Sequence, residues 1–155
     1  IVENKQGHVC INAAVDKSNV EGTDGYLLLP RDPDKSAKQI RSEITNLTGK
    51  KVSVLISDTY SRPFRTGQVE LTVGIAGMNP FKDYRGKRDL FNYELKVKNT
   101  AVADEITSAA ELVMGQGNEG IPVAIVKNLQ VQTQEEASAK DLLISRNEDL
   151  FKGAL

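Results

Sequence analysis

Three stretches of this chain carry residue types that suit chemistry. The first is "SDTYSRPFR", Ser57 to Arg65, which follows the apolar run "KVSVLI". Open sheets place ligands beyond the carboxyl ends of their strands. At that place Asp58 offers a hard oxygen to Mg²⁺ or Mn²⁺, and the neighbouring Thr59 offers a second through its hydroxyl or carbonyl. The same pair also suits an Asx-turn and a capped loop amide. The second stretch is "VDKSN", where Asp16, Ser18 and Asn19 follow an apolar run: a metal carboxylate and a nucleotide-contacting amide, or a polar turn. The third is "MGQGNEG", Met114 to Gly120. It lacks the Lys-Ser/Thr pair of a phosphate loop and follows a helix instead of opening one. Nucleotide contact here would use loop amides, with Gln116 giving a neutral oxygen to a metal; the alternative is a plain helix-to-strand turn.

Arg31, Lys35, Arg62, Arg65, Arg85, Lys87 and Arg88 form the basic set. Arginine forks fit carboxylates and phosphates. Most of these read as surface charge, but Arg62 and Arg65 follow Asp58 closely enough to share its cleft. His8 and Cys10 share a strand face by alternation, yet no further His or Cys completes a zinc set; a structural His and a buried thiol are expected. No G-x-S-x-G pattern marks a serine nucleophile.

These residues need elements to hold them. "GHVCINAAVD", 7–16, reads as a strand, and "YLLLP" as a short apolar segment. Asp32 as N-cap, Pro33 at the first position and Gly49 at the end bound a helix, with Ala37, Ile40, Ile44 and Leu47 on one face. Residues 52–57 and 68–77 read as strands, the second with Gly74, Ala76 and Gly77 marking close backbone approach. "FNYELKVK" alternates as a half-wet strand over 91–98. Val102, Ile106, Ala109 and Val113 predict a second helix face; "IPVAIV", 121–126, predicts a strand, and "AKDLLIS" and "EDLF" a helical, amphipathic tail. The interleaved helices and wet, bulged strands predict a mixed sheet in preference to a purely parallel one, and the length predicts one domain, or two small lobes sharing a core.

Composition narrows the function. A chain of 155 residues with 39% hydrophobic and 26% charged residues is ordinary for a globular protein. Its net charge of -1 supports neither a nucleic-acid nor a membrane footprint. One cysteine, no signal peptide and no membrane-length apolar run point to the cytoplasm. The chain opens on Ile1 without an initiator Met, which reads as a fragment of a longer protein.

Taken together, "GHVCINAAVDKSNV", "LLLPRDPDKSAKQIR", "VSVLISDTYSRPFRTGQ", "VGIAGMNPFKDYRGKRDL", "AVADEITSAAELVMGQ" and "SAKDLLISRNEDLF" resemble the coenzyme F420-0:L-glutamate ligase (gamma-glutamyl ligase) family in order and spacing, without its amino-terminal portion. The resemblance implies a GTP-dependent amide ligase using Mg²⁺ or Mn²⁺ with K⁺ assisting, which attaches L-glutamate to the deazaflavin precursor through an acyl phosphate. It implies metal binding by Asp16, Asp58, Thr59 and Gln116. It implies nucleotide contact by Asn19 and by Met114, Gly115, Gln116, Gly117, Asn118, Glu119, Gly120 and Ile121. Arg62 and Arg65 are our own addition as substrate clamps. The fold it implies is α+β with long, mixed, largely antiparallel sheets and a few packed helices, a single ligase-like domain over 1–155, in an intertwined homodimer. This chain departs from the family at Ala14 and Ser61, where glycine is usual. The alternatives are a ligase for another acidic acceptor and a non-catalytic nucleotide-binding or dimerising fragment.

Overall fold

The computed structural model describes residues 2–3, 7, 9–10, 15–22, 24–62, 64–145 and 147–149. His8, Ala14, Pro63, the Cys10 side chain and the end of the expected amphipathic tail lie outside the described residues. In chain order come β1 (Val2–Glu3), β2 (Val9–Cys10), β3 (Val15–Asp16), β4 (Leu27–Leu28), α1 (Pro33–Thr48), β5 (Val54–Ser61), β6 (Gln68–Ala76), β7 (Lys82–Asp83), β8 (Asn99–Thr100), α2 (Val102–Met114) and a 3-10 turn at Ala139–Leu142. The described strands pair antiparallel, each with its neighbour: β1 with β2, β3 with β4, β5 with β6, β7 with β8. The fold is α+β, as expected; of the described pairs, only β5–β6 is long.

That hairpin is the scaffold. Val54 pairs with Ala76 at one end and Ser61 with Gln68 at the other, and the register shifts between Ile56 and Ser57, where Val73 is the extra residue. Helices α1 and α2 both pack against β6. Each sends an aspartate from its first turn to the strand backbone: Asp34 accepts the Ile75 N–H at 2.8 Å and Asp104 the Thr72 N–H at 2.9 Å. The bulged strand's amides thus find side-chain acceptors, as buried backbone donors must.

Helix α1 has the expected boundaries. Asp32 accepts the Lys35 N–H at 2.9 Å, Pro33 opens the helix, and Gly49 closes it at φ 69°. Its packed seam differs from the expected one. Pro33 and Ala37 are buried and Arg41 is half-buried, while Ile40 and Leu47 are exposed, Leu47 by 85%. The reason lies underneath: a Cβ on Gly74 would sit 2.6 Å from the Pro33 carbonyl carbon, and one on Gly77 2.4 Å from Arg41 Nε. At Gly74 the two backbones meet directly, and at Gly77 the Arg41 guanidinium lies against the strand, so only small or flat groups fit between helix and strand. Helix α2 follows the same rule. Ala103 and Thr107 are buried, whereas Ala109, Leu112 and Val113 are exposed.

The core is correspondingly small-residue rich. Ile75, Met78, Ala103, Ala137 and Ala139 form its centre, with Leu55, Val102, Ile106, Val131 and Leu142 around them. Two expected strands do not form. In 91–98 local turn chemistry prevails: Asp89 Oδ1 accepts the N–H of both Phe91 and Tyr93, and Asn92 takes φ 69°. The segment folds back as an irregular hairpin, with Arg88 bridged to Glu94, and leaves Phe91 92% exposed. Over 121–126 no strand is described, and Val123 and Ile125 face solvent. Pro122 lacks an N–H, and no described strand lies alongside to pair the rest.

Candidate functional site

The β3–β4 pairing sets Asp16 opposite Leu27. Immediately after β3 the chain turns on the Asp16 carboxylate, which accepts the Ser18 N–H at 2.9 Å and the Ser18 hydroxyl at 2.6 Å. The polar turn expected as an alternative therefore forms, and it leaves the carboxylate at a cavity wall. Asn19, at φ 53°, completes the turn, a conformation Asn tolerates better than most residues. Its Nδ2 donates to the Gly117 carbonyl at 3.0 Å, joining two loops 98 positions apart.

The second loop is shaped by its glycines. Gly115 ends α2 with its N–H on Glu111 O at 2.8 Å and φ 74°. A Cβ there would collide with the Glu119 carboxyl group, which folds back to accept the Gly117 N–H at 2.8 Å. The glycine-rich loop thus lines the cavity at the C-terminal end of a helix, not at a helix N-terminus.

Asp58 and Thr59 lie inside β5, not beyond its end as the sequence suggested, because the strand runs on to Ser61. Thr59 stands opposite Glu70 on β6. Cross-strand neighbours touch, and the Thr59 hydroxyl lies 2.7 Å from Glu70 Oε1 and 2.9 Å from Gln116 Oε1. Gln116 Nε2 donates to the same Glu70 oxygen at 2.8 Å. Ser108 of α2 holds the Glu70 carbonyl at 2.8 Å.

These parts enclose an open cavity of about 600 Å³. It is lined by Asp16, Ser18, Asn19, Leu27, Ser57, Asp58, Glu70, Glu111 and the run from Met114 to Pro122. Asp16, Asn19, Asp58, Gln116 and the whole of Met114–Ile121 are brought together. Thr59 is not itself part of the wall but lies directly behind two residues that are, its hydroxyl 2.7 Å from Glu70 Oε1 and 2.9 Å from Gln116 Oε1. Arg62 and Arg65 do not line it; Arg62 Nε is buried without a hydrogen-bond partner, and Arg65 is exposed. Sequence reasoning missed Ser57, Glu70 and Glu111. Glu70 had a signal: a lone acid inside the otherwise apolar strand "VELTVGIA".

The cavity is strongly acidic. Among the described residues Asp16, Asp58, Glu70, Glu111 and Glu119 line it, and no Lys or Arg does. Bonds from the Ser18 side chain and backbone hold the Asp16 carboxyl below the usual range. Burial, opposed by the Thr59 backbone bond and reinforced by the Glu70 and Asp16 charges, holds Asp58 above it. Among the described residues no three of His, Cys, Asp and Glu group closely enough to hold a metal by themselves. The oxygens at hand are the Asp16 and Asp58 carboxylates on the wall, the Gln116 amide oxygen beside them and the Thr59 hydroxyl behind it, types that a hard divalent cation accepts. The 2.9 Å spacing of Thr59 Oγ1 and Gln116 Oε1 is also about the edge of an oxygen octahedron around Mg²⁺. Among the described residues, no helix is long and apolar enough to cross a membrane.

Comparison with known proteins adds a second line of observation. The family described as F420-0:Gamma-glutamyl ligase matches residues 1–128. The chain is 45% identical over 152 residues to a coenzyme F420:L-glutamate ligase of Methanocaldococcus jannaschii, covering 98% of this chain and 60% of that protein. Its counterpart in Archaeoglobus fulgidus is 46% identical over 156 residues, covering 100% of this chain and 61% of the relative. That of Methanothermobacter thermautotrophicus is 44% identical over 155 residues, with 99% and 61% covered. The chain therefore spans about three-fifths of the length of the curated relatives it matches.

Proposed function

The chain belongs to the F420-0:gamma-glutamyl ligase family, and from that premise we propose that it is the larger part of a cytoplasmic ligase that joins L-glutamate to the deazaflavin precursor F420-0, and then adds a gamma-linked glutamate, at the expense of GTP. The observation that carries the reading is the cavity itself. Among the described residues five carboxylates and no Lys or Arg line it, so a polyphosphate enters only in the company of cations that offset the repulsion.

The residues divide the work. Asn19 and the Met114–Ile121 loop hold the nucleotide, with loop amides toward phosphate oxygens. Asp16, Asp58, Thr59 and Gln116 hold Mg²⁺ or Mn²⁺, with K⁺ as a further counter-ion. When bound, the divalent ion neutralises charge on the phosphates and makes the terminal phosphorus more electrophilic. The acceptor carboxylate attacks that phosphorus and GDP leaves. The glutamate amine then attacks the acyl carbon of the resulting acyl phosphate, phosphate departs, and the amine loses a proton as the amide forms. Arg62 and Arg65, outside the cavity wall, are our candidates for holding the carboxylates of the acceptor.

The test is a mass-spectrometric ligation assay on the whole protein with F420-0, glutamate, GTP and Mn²⁺. A product heavier by one glutamate residue is expected, dependent on GTP. Transfer only to a different acidic acceptor would replace the substrate assignment. GTP binding without any ligation would overturn the catalytic one.

A further inference from the structure

Glu70 is 8% exposed, sits at the crossing of β5, β6 and the loop after α2, and has no role among those assigned above. One of its oxygens, Oε1, is the meeting point of two donors, Thr59 Oγ1 at 2.7 Å and Gln116 Nε2 at 2.8 Å. The hydrogen count is decisive. The Thr59 hydroxyl has one proton and two oxygens within reach, Glu70 Oε1 at 2.7 Å and Gln116 Oε1 at 2.9 Å. A carboxylate is the stronger acceptor. With the proton on the Glu70 side, Thr59 Oγ1 and Gln116 Oε1 are left 2.9 Å apart with no proton between them. Two facing lone-pair oxygens repel unless a cation lies beside them. Reversing the Gln116 amide would relieve that contact but would set its oxygen against the Glu70 oxygen, so Glu70 also decides which end of the amide faces Thr59.

We propose that Glu70 is a positioning residue for cation binding: by drawing the Thr59 hydroxyl proton and a Gln116 amide proton onto one oxygen, it turns the remaining lone pairs of both residues toward the metal. Glu70 acts as an acceptor behind the two donors, not as a ligand. The inference rests on the cation-site reading given above. Partners behind metal ligands commonly change metal affinity by about 10- to 100-fold when lost.

The experiment is Mn²⁺ binding by electron paramagnetic resonance, with no turnover, on the whole protein and its E70M, E70Q, Q116A and E70M/Q116A variants. E70M removes the acceptor and is expected to weaken Mn²⁺ binding about tenfold. E70Q keeps one acceptor oxygen and retains most of the affinity. In the Q116A background E70M costs much less than tenfold, because one of the two residues it acts through is gone. Equal losses in E70M and E70Q would show a charge or ligand role and overturn the proposal. So would an unaffected E70M, or the same E70M loss with and without Gln116. A readout free of any Glu70 variant is the Gln116 side-chain amide in the wild-type NMR spectrum, assigned with Q116A. Slow proton exchange is expected there, and exchange as fast as a free surface glutamine refutes the bond. Failure of the cation site itself is separate: D58A binding Mn²⁺ like wild type would remove the site and this proposal together.

Discussion

Asp58 carries opposite demands. Its folded carboxyl lies above the ordinary aspartate value, chiefly through burial. The folded state thus holds the proton more tightly than the unfolded one. Its contribution to stability is full below about 3.8 and is lost as pH rises through the folded value. At neutral pH the bare carboxylate is a cost. Asp58→Asn should raise the melting temperature of the metal-free protein by about 2 °C while abolishing Mn²⁺-dependent GTP binding. Calorimetry showing wild-type GTP–Mn²⁺ affinity in both D58N and D16A would remove the metal assignment. Asp83 is the reverse case. The Arg85 side chain, then its N–H, lower its carboxyl to about 2, with Arg85 Nη2 at 2.6 Å from Oδ2. What it adds to stability is present above the ordinary carboxylate value and lost as pH falls through about 2. A carbon-detected NMR titration should place its midpoint there, and Arg85→Ala should return it to the ordinary range. An ordinary midpoint in the wild type would exclude the pairing.

The contact between α1 and β6 sets the frame that carries Asp58, Thr59 and Glu70. Gly74→Ala should cost about 1–3 kcal/mol by overpacking against Pro33, read as a lowered urea midpoint. An unchanged midpoint would mean that the helix does not seat on the strand so closely. The boundaries of α1 were legible because caps are local: Asp32, Pro33 and Gly49 act within a few residues of chain. The buried seam was not. Following the largest aliphatics selects Ile40 and Leu47, but a glycine-lined strand admits Pro33, Ala37 and Arg41 instead. The glycines themselves were read correctly as a sign of close approach. Their consequence for the helix opposite was the step that needed three dimensions.

Across the whole molecule, a large share of the apolar residues stays outside. Leu90 and Phe91 of the 82–98 hairpin, and Val123 and Ile125 after the cavity loop, are each more than 70% exposed. Contiguous exposed apolar surface marks places that meet other protein. The homodimer proposed from the family resemblance would cover them. Sedimentation should find the whole protein at twice its chain mass, and Phe91→Asp with Leu90→Asp should shift it toward the single chain. A wild-type protein sedimenting as one chain at micromolar concentration would refute the dimer. The alternating "FNYELKVK" pattern predicts a strand because periodicity reports spacing, not partners. Asp89 and Asn92 redirected it through turn bonds available within four residues.

By itself the sequence determined the ends of α1, the glycine end of α2, the position of β6, the α+β class and part of the cavity lining: Asp16, Asn19, Asp58 and the Met114–Ile121 loop. Each of these rests on local chemistry, or on motifs long enough to be recognised in order. Tertiary structure alone decided that Asn19 clasps Gly117, that Thr59 lies inside a strand facing Glu70, and that Arg62 and Arg65 lie off the wall. Those facts depend on strand register and on loops meeting across 98 positions of chain. Glu70 shows the difference most directly: in the sequence it is one acid in an apolar strand, and only the β5–β6 register puts its oxygen between Thr59 and Gln116.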